Sequence, residues 1–417
     1  MKNKIKNLII FLILLPIAIV VKLAKIKFII KFAEISFDNF GGCLAEFANI
    51  CGENSNLEKS YDKKVYIIFY YKPEIISSTY LIKNLKKSYH ISKFYSFYSY
   101  LEKVCNRISL DSTDAHSVKK INYVETYDPM SKSKLNFIFS NEEKKNILKL
   151  HSELRLPENA KWICVFSRDS NDGYLDHYVE KNKKFINKAK LSAHLNIQKL
   201  RDTSLFKMKS ALEKFTEYGY YVIVMGKKAN MFLTDNEKII DYSNSSINSE
   251  FADIYLLNNC ITYYGADSGI HIVPLATQKK VFIAGTPDTY YFWKQFHWME
   301  APFLPKLLFD NEKKQVIKYR DFLKEGLIRK PPEYSISYEE AGQNRIISKE
   351  NSEDEYLNLA MEAHKILTGD LDISLEQKKL RKEVKKIFDS LEEKYISKNR
   401  YNFISDYFIK KNFDQLI

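Results

Sequence analysis

Glycine and proline are scarce in this chain, 12 and 10 in 417 residues. That leaves little material for long flexible linkers and excludes a collagen-like or Pro/Gly-rich low-complexity architecture. The five cysteines, Cys43, Cys51, Cys105, Cys164 and Cys260, are odd in number and form no CxxC pair. This argues against a disulfide framework or a zinc knuckle and for a reducing cytoplasm; Cys164, inside an apolar run, reads as a buried thiol. No GxGxxG follows an early strand-like run, so the fingerprint of a dinucleotide oxidoreductase is missing. No repeat of fixed period and no low-complexity block stand out. No D-x-D pair stands beside a strand-like run in residues 158–334, and nothing in the residues calls for a metal or a cofactor.

What is present is a globular composition, 45% hydrophobic and 28% charged. At about 150 residues per domain, the length suggests two domains. Lys and Arg number 65 against 52 Asp and Glu, a net charge of +13. Such a surplus favours anionic partners: phosphorylated substrates, acidic head groups or nucleic acid. Part of it is background in a chain rich in Lys, Asn and Ile together. The basic residues are spread along the whole chain rather than gathered in a stripe, so nucleic acid is not expected as a partner.

The amino terminus is distinctive. Lys2, Lys4 and Lys6 precede an apolar run over residues 8–21, broken by Pro16, and Lys22, Lys25 and Lys27 follow. About 14 uncharged residues make ~21 Å of helix against ~30 Å of hydrocarbon, short for a crossing. No small-residue cleavage site follows, as a signal peptide requires. Residues 1–32 are therefore expected to be a membrane-associating anchor in the cytoplasmic leaflet, its lysines at anionic head groups and worth ~1 kcal/mol each.

Beyond the anchor, strand-like and helix-like runs alternate. VYIIFYY at 65–71 reads as a core strand, and a helix follows at Leu81, Ile82 and Leu85. Asn141 opens a helix with Ile147, Leu148 and Leu154 on one face. From residue 161 the pattern becomes regular. WICVF (162–166) is a strand, Leu205, Met208, Leu212 and Phe215 are a helix stopped by Gly219, and YYVIVM (220–225) is a strand. Residues 239–242, 261–264 and 281–284 are further strands, with helices at 251–257 and 270–276. This is the signature of βαβ units and a parallel sheet. Leu357, Ala360, Met361 and Ile366, and then Leu375 to Leu391, mark charged amphipathic helices. The expected organisation is one domain at 33–157, a second at 158–334, and helices at 335–417 packing across the two.

The densest chemical signal is GADSGIH at 265–271, directly after a strand and opening a short helix. Parallel sheets bind ligands at the carboxyl ends of their strands. Ser268 and Gly269 let the backbone approach a diphosphate, and helix-start N–H groups face it. His271 could donate to a phosphate oxygen, and Asp267 could accept from sugar hydroxyls. An ordinary strand–turn–helix with Asp267 or Ser268 as N-cap fits the same residues.

The segment DSGIHIVPLATQKKVFIAGTPDT resembles, with its His271 one position earlier, the D-[ST]-G-x-x-H segment of the ADP-heptose-using heptosyltransferases, which are GT-B glycosyltransferases. WICVFSRDS with Gly173, Tyr174 and Leu175, HLNI at 194–197, YGYYVIVMG at 218–226, DYSNSSINSEFADIYLLNNC at 241–260 and FISDYFIKKN near the end resemble, in order, a bacterial family of surface-polysaccharide glycosyltransferases. The likeness implies an α/β GT-B fold. That is two Rossmann-like domains with a cleft between them, here 33–157 on the acceptor side and 158–334 holding the nucleotide-sugar, plus an N-terminal hydrophobic anchor and C-terminal helices. It implies a nucleotide-sugar donor, a glycan or glycolipid acceptor and no cofactor, the nucleotide-sugar being a substrate. Arg168, directly after a strand, would meet the leaving diphosphate; pairing to Asp169 or Asp172 is its other reading. Gly226 would let a nucleobase approach, or simply turn the chain. Asp253 would orient a donor hydroxyl, or serve as a helix N-terminal acid. The base that takes the acceptor proton is implied near residues 35–43, where Asp38 is the nearest carboxylate and Glu46 the next. Asp38 reads equally as a turn-stabilising residue beside Gly41 and Gly42. Asp169, Asp172 and His194 are rivals.

The loop at residues 40–43 carries neither the Arg nor the His usual around the family's glycine. Leu195 stands where the family tends to have Arg. Those departures keep a second class open, a catalytically silent GT-B relative acting as a scaffold for polysaccharide assembly. Aromatic stretches at 95–100 and 290–298 could stack on sugars or fill cores.

Overall fold

The computed structural model describes residues 2–74, 76–109, 117–118, 128–133, 135–169, 199–226, 234–287, 301–318, 321, 345–370, 378, 382, 386 and 403–416. The chain divides into two compact units, residues 1–144 with 276–278 and residues 145–275 with 279–417. The division falls inside helix α5 (Asn141–Glu153), earlier than the expected boundary at 157. The reason is packing: from the last turn of α5, His151 sets its ring edge-on to Trp162, and its Nε2 lies 2.7 Å from the Tyr255 hydroxyl. Leu148, expected on the inner face, is exposed, while Leu150 and Leu154 are buried.

The first unit is built on a parallel sheet of three strands in the order β1-β2-β3 (Phe28–Glu34, Lys64–Tyr70, His90–Ser92). Ser117 bridges Phe32 in parallel on the other flank of β1. Helix α1 (Lys2–Leu23) precedes β1, α2 (Phe40–Tyr61) and α3 (Thr79–Leu85) link the strands, and α4 (Tyr95–Ile108) follows. The 1–32 segment read as an anchor therefore ends inside a strand. Lysines interleaved with apolar residues suggested a basic amphipathic run. In the fold Lys31 is buried within β1, and its Nζ donates to the Tyr61 hydroxyl at 3.4 Å. Gly41 and Gly42 are not in a loop either. Asn39 caps α2, its Oδ1 accepting from Gly42 N–H at 3.0 Å, so both glycines lie in the helix's first turn.

The second unit carries a seven-stranded sheet in the order β13-β9-β8-β7-β4-β5-β6. In chain order these are β4 (Trp162–Phe166), β5 (Tyr221–Val224), β6 (Ile239–Asp241), β7 (Thr262–Gly265), β8 (Val281–Thr286), β9 (Pro302–Pro305) and β13 (Phe403–Ile404). Every pairing is parallel. The helices are α6 (Lys209–Glu217), α7 (Glu250–Asn259), α8 (Ile272–Ala276), α9 (Glu353–Thr368) and α10 (Asp406–Leu416). Beside them, β10 (Leu307–Asp310), β11 (Gln315–Val316) and β12 (Ile346–Lys349) form a small antiparallel sheet. Leu205, Met208, Leu212 and Phe215 are buried as expected, with helix proper starting at Lys209 and Gly219 leaving it at φ +90°. The buried face of α9 is Tyr356, Leu359, Ala360 and Ala363, one residue off the expected stripe; it packs on α6, β8 and β9. Of the second amphipathic segment, 375–391, most lies outside the described residues.

Strand order fixes where a ligand belongs. From β4 the chain adds β5 and β6 on one side, then returns to add β7, β8 and β9 on the other. The crevice at the carboxyl ends of β4 and β7 is thus the topological switch point, the place where open parallel sheets bind ligands. In the first unit the same logic singles out the end of β1, from which residues 35–39 emerge.

Candidate functional site

β4 and β7 end in register, Phe166 opposite Gly265. Ala266 N–H donates to Phe166 O at 2.8 Å, so the chains carrying Arg168 and Asp267 leave the sheet side by side. Gly265 has φ +139°, and a Cβ there would stand 2.1 Å from the Phe166 carbonyl oxygen. The close approach of these two turns therefore depends on glycine.

The turn after β7 is held from within. The Tyr263 hydroxyl donates to Ala266 O at 2.5 Å and lies 3.3 Å from Ser268 Oγ. Ser268 N–H donates to His271 Nδ1 at 3.3 Å in a capping box, which fixes the ring proton on Nε2. Arg201, which sequence reasoning passed over, closes the turn. Its Nη2 donates to Asp267 Oδ2 at 2.9 Å and to Asp267 O at 2.8 Å. Ser268 and His271 are thus buried and the Asp267 carboxylate is engaged, rather than open toward a ligand as expected. The only sequence clue to Arg201 is that RDTS at 201–204 echoes RDS at 168–170.

The two segments are tied together. Thr203 N–H donates to Arg168 O at 2.7 Å, and Arg168 N–H donates to Thr203 Oγ1 at 3.0 Å. Asp202 and Ser204 are gripped by buried Lys306 and half-buried Glu350. Lys306 Nζ donates to Asp202 O and, at 2.7 Å, to Glu350 Oε2. Glu350 Oε1 accepts from the Tyr356 hydroxyl at 2.7 Å and from Ser204 N–H at 3.1 Å. Among the described residues, Arg168, Asp169, Arg201, Asp202 and Asp267 are charged residues so assembled at the switch point.

The remaining candidates sit elsewhere. Gly226 ends β5 at φ +124°, its carbonyl accepting from Asn248 Nδ2 at 2.7 Å. Next to it, Asp241 Oδ1 accepts from Ser243 Oγ at 2.6 Å and its Oδ2 from Asn244 Nδ2 at 2.7 Å. Asp253 Oδ1 accepts from the buried Tyr242 hydroxyl at 2.9 Å, in the first turn of α7 behind the Ser249 cap. Asp38 is exposed at the end of β1 in the first unit. His194, Asp172, residues 173–175, 195–197 and 290–298 lie outside the described residues. In α4, Tyr95 and Tyr98 pack toward Tyr70 as core, while Phe97 is exposed. Cys164 is buried as expected, which pushes its thiol well up. Among the described residues no group of three or more His, Cys, Asp or Glu could hold a metal ion.

Burial drives the His271 imidazole down to about 4 from an ordinary 6.5; Asp267 opposes the shift and Arg201 adds to it. The folded state therefore prefers neutral His271. That contribution is complete above pH 6.5 and drains away as the pH falls toward 4. By pH 4.5 the loss amounts to roughly 2–3 kcal/mol. Urea unfolding at pH 7.5 and 4.5 should show this loss in the parent and a flatter difference in His271→Asn. Equal pH dependence in both proteins would contradict it.

No protein-family profile matches the chain, and no curated protein matches it. Solved structures do resemble it. The family 9 glycosyl transferase from Veillonella parvula is 10% identical, with 81% of this chain and 97% of that one covered, at TM-score 0.39. E. coli ADP-heptose LPS heptosyltransferase II is 12% identical, with 62% and 86% covered, at TM-score 0.31. The iron-containing dodecameric glycosyltransferase TibC of enterotoxigenic E. coli is 10% identical at TM-score 0.33, with 63% of this chain covered. The present chain spans 61% of the length of TibC.

Proposed function

We propose that the protein is a GT-B glycosyltransferase. In this reading it moves a sugar from a nucleotide-sugar donor to a surface-glycan acceptor of lipopolysaccharide, capsule or O-antigen type. It works without a metal or cofactor, at the cytoplasmic face of the cell membrane, held there by its N-terminal segment. The observation that carries the reading is the switch point between β4 and β7, where Arg168 stands beside the turn bearing Asp267. Transfer forms a bond from an acceptor oxygen to the anomeric carbon and breaks the bond from that carbon to the diphosphate. The diphosphate departs with its electron pair, and a base takes the acceptor proton. Arg168 and Arg201 supply fixed positive charge where that leaving charge develops. Asp267 holds Arg201 in place and the capping box fixes the turn, so these two act by positioning. Gly226 and the Asp241 turn border the side where a base and ribose would lie. Asp38 is assigned the acceptor proton, with Asp169 and His194 as the alternatives.

The engagement of Asp267 by Arg201 and of His271 by Ser268 favours one other reading, an inactive GT-B-like scaffold of polysaccharide assembly. A thermal-shift panel of UDP-, GDP-, ADP- and CMP-sugars separates them. A donor at a hundred times its Kd should raise the melting temperature by about 5 °C, and Arg168→Ala should abolish the rise without lowering the ligand-free melting point. A protein silent to all four donors is not this enzyme.

A further inference from the structure

We propose that α1 is a docking helix that lies in the plane of an anionic bilayer and does not cross it. This rests on the membrane attachment put forward above and specifies how the segment meets the lipid; it is independent of the chemistry of the second unit. The inner face of α1 is occupied. Leu14, Ala18 and Val21 are buried against Leu101, Val104 and Cys105 of α4, in one cluster with Phe32 and Tyr70 of the sheet. The contact reaches from the Phe11 ring, 5.9 Å below the Arg107 guanidinium, to Lys22, whose Nζ donates to Ile108 O at 2.6 Å. That is about 16 Å of helix.

The helix that covers this length is a charged surface helix. Between Leu101 and Ile108 it carries Glu102, Lys103, Asn106 and Arg107. Were α1 upright in the membrane, those charges and the sheet beneath them would be drawn into hydrocarbon, where neither is tolerated.

Among the described residues nothing packs on the outer face. Ile9, Leu12, Ile13, Val20 and Leu23 are all more than half exposed, and α1 has no acidic residue. Cations border it: Lys25 just beyond its end, Lys63, whose Nζ donates to Lys25 O at 2.7 Å, and exposed Lys103 and Arg107 on α4. An apolar strip edged by cations matches acyl chains under anionic head groups. A second protein surface would have to be apolar along the helix and acidic at its rim.

The full chain should be tested by co-sedimentation with vesicles. It should bind mixed phosphatidylglycerol–phosphatidylcholine vesicles about tenfold or more tightly than pure phosphatidylcholine at low salt, with the difference shrinking as salt is added. The double variant L12E/V20E should lose about a hundredfold in binding, at an unchanged melting temperature. An epitope tag before Lys2 should remain open to protease added from the side on which the protein was added. Protection of that tag would mean a crossing and overturn the proposal. So would equal binding to neutral vesicles, undiminished binding of L12E/V20E, or a vesicle-free dimer that this variant dissolves. Nucleotide-sugar melting shifts of L12E/V20E should equal those of the parent, so failure here is told apart from failure of the transferase reading.

Discussion

Gly265→Ala should destabilise the second unit by about 4 kcal/mol, lowering its melting temperature by about 10 °C. Two costs combine. Alanine would have to hold φ +139°, where a side chain is strained, and its Cβ would stand 2.1 Å from Phe166 O and 2.9 Å from Phe166 N. Both are backbone atoms, and Phe166 O already accepts from Ala266 N–H, so nothing flexible can yield. The strands must part at their carboxyl ends, the point where Arg168 and Asp267 diverge. Calorimetry on the variant tests the magnitude. A variant that melts with the parent would mean the β4–β7 turn has slack, and the close approach described above would be wrong.

Glu350→Ala should cost about 4 kcal/mol. The Lys306 side chain is only 3% exposed. Without the carboxylate its ammonium keeps the Asp202 carbonyl alone, while the Tyr356 hydroxyl and Ser204 N–H each lose an acceptor. Denaturant midpoints should rank parent, Glu350→Gln and Glu350→Ala in falling order, because the amide keeps one acceptor oxygen. Removing the trapped charge as well, in the Lys306→Met/Glu350→Ala pair, should recover part of the loss. If the single variant is as stable as the parent, the pair does not hold residues 202–204. The same loosening should weaken the donor-induced melting shift, since Thr203 ties that segment to Arg168.

Much of the second unit was legible in the sequence because a parallel sheet buries its strands on both faces. WICVF and the runs at 220–225 and 281–284 are short, continuous and apolar, and their elements lie within a residue or two of the expected bounds. The elements that escaped break that rule. β1 contains Lys31, whose charge is accommodated by Tyr61, a partner that folding alone supplies. β9 is bounded by Pro302 and Pro305, and β13 is two residues long. The site was legible only in part, for a related reason. GADSGIH declares itself through local chain geometry. Its partner Arg201, 66 residues away, and the Lys306–Glu350 pair, 44 apart, form through space and leave no periodic trace.

The edge of the large sheet has a consequence for biosynthesis. β9 pairs with β8 on one side and with β13 on the other. About a hundred residues intervene between β9 and β13, so a ribosome adding 5–20 residues per second leaves that outer edge bare for roughly 5–20 s. Phe303 O accepts from Ser405 N–H on that edge, and the nitrogen of Pro305, two residues on, faces the same way without an N–H for another nascent chain to pair with. It guards the growing polypeptide against clumping during the interval before its own late strand arrives.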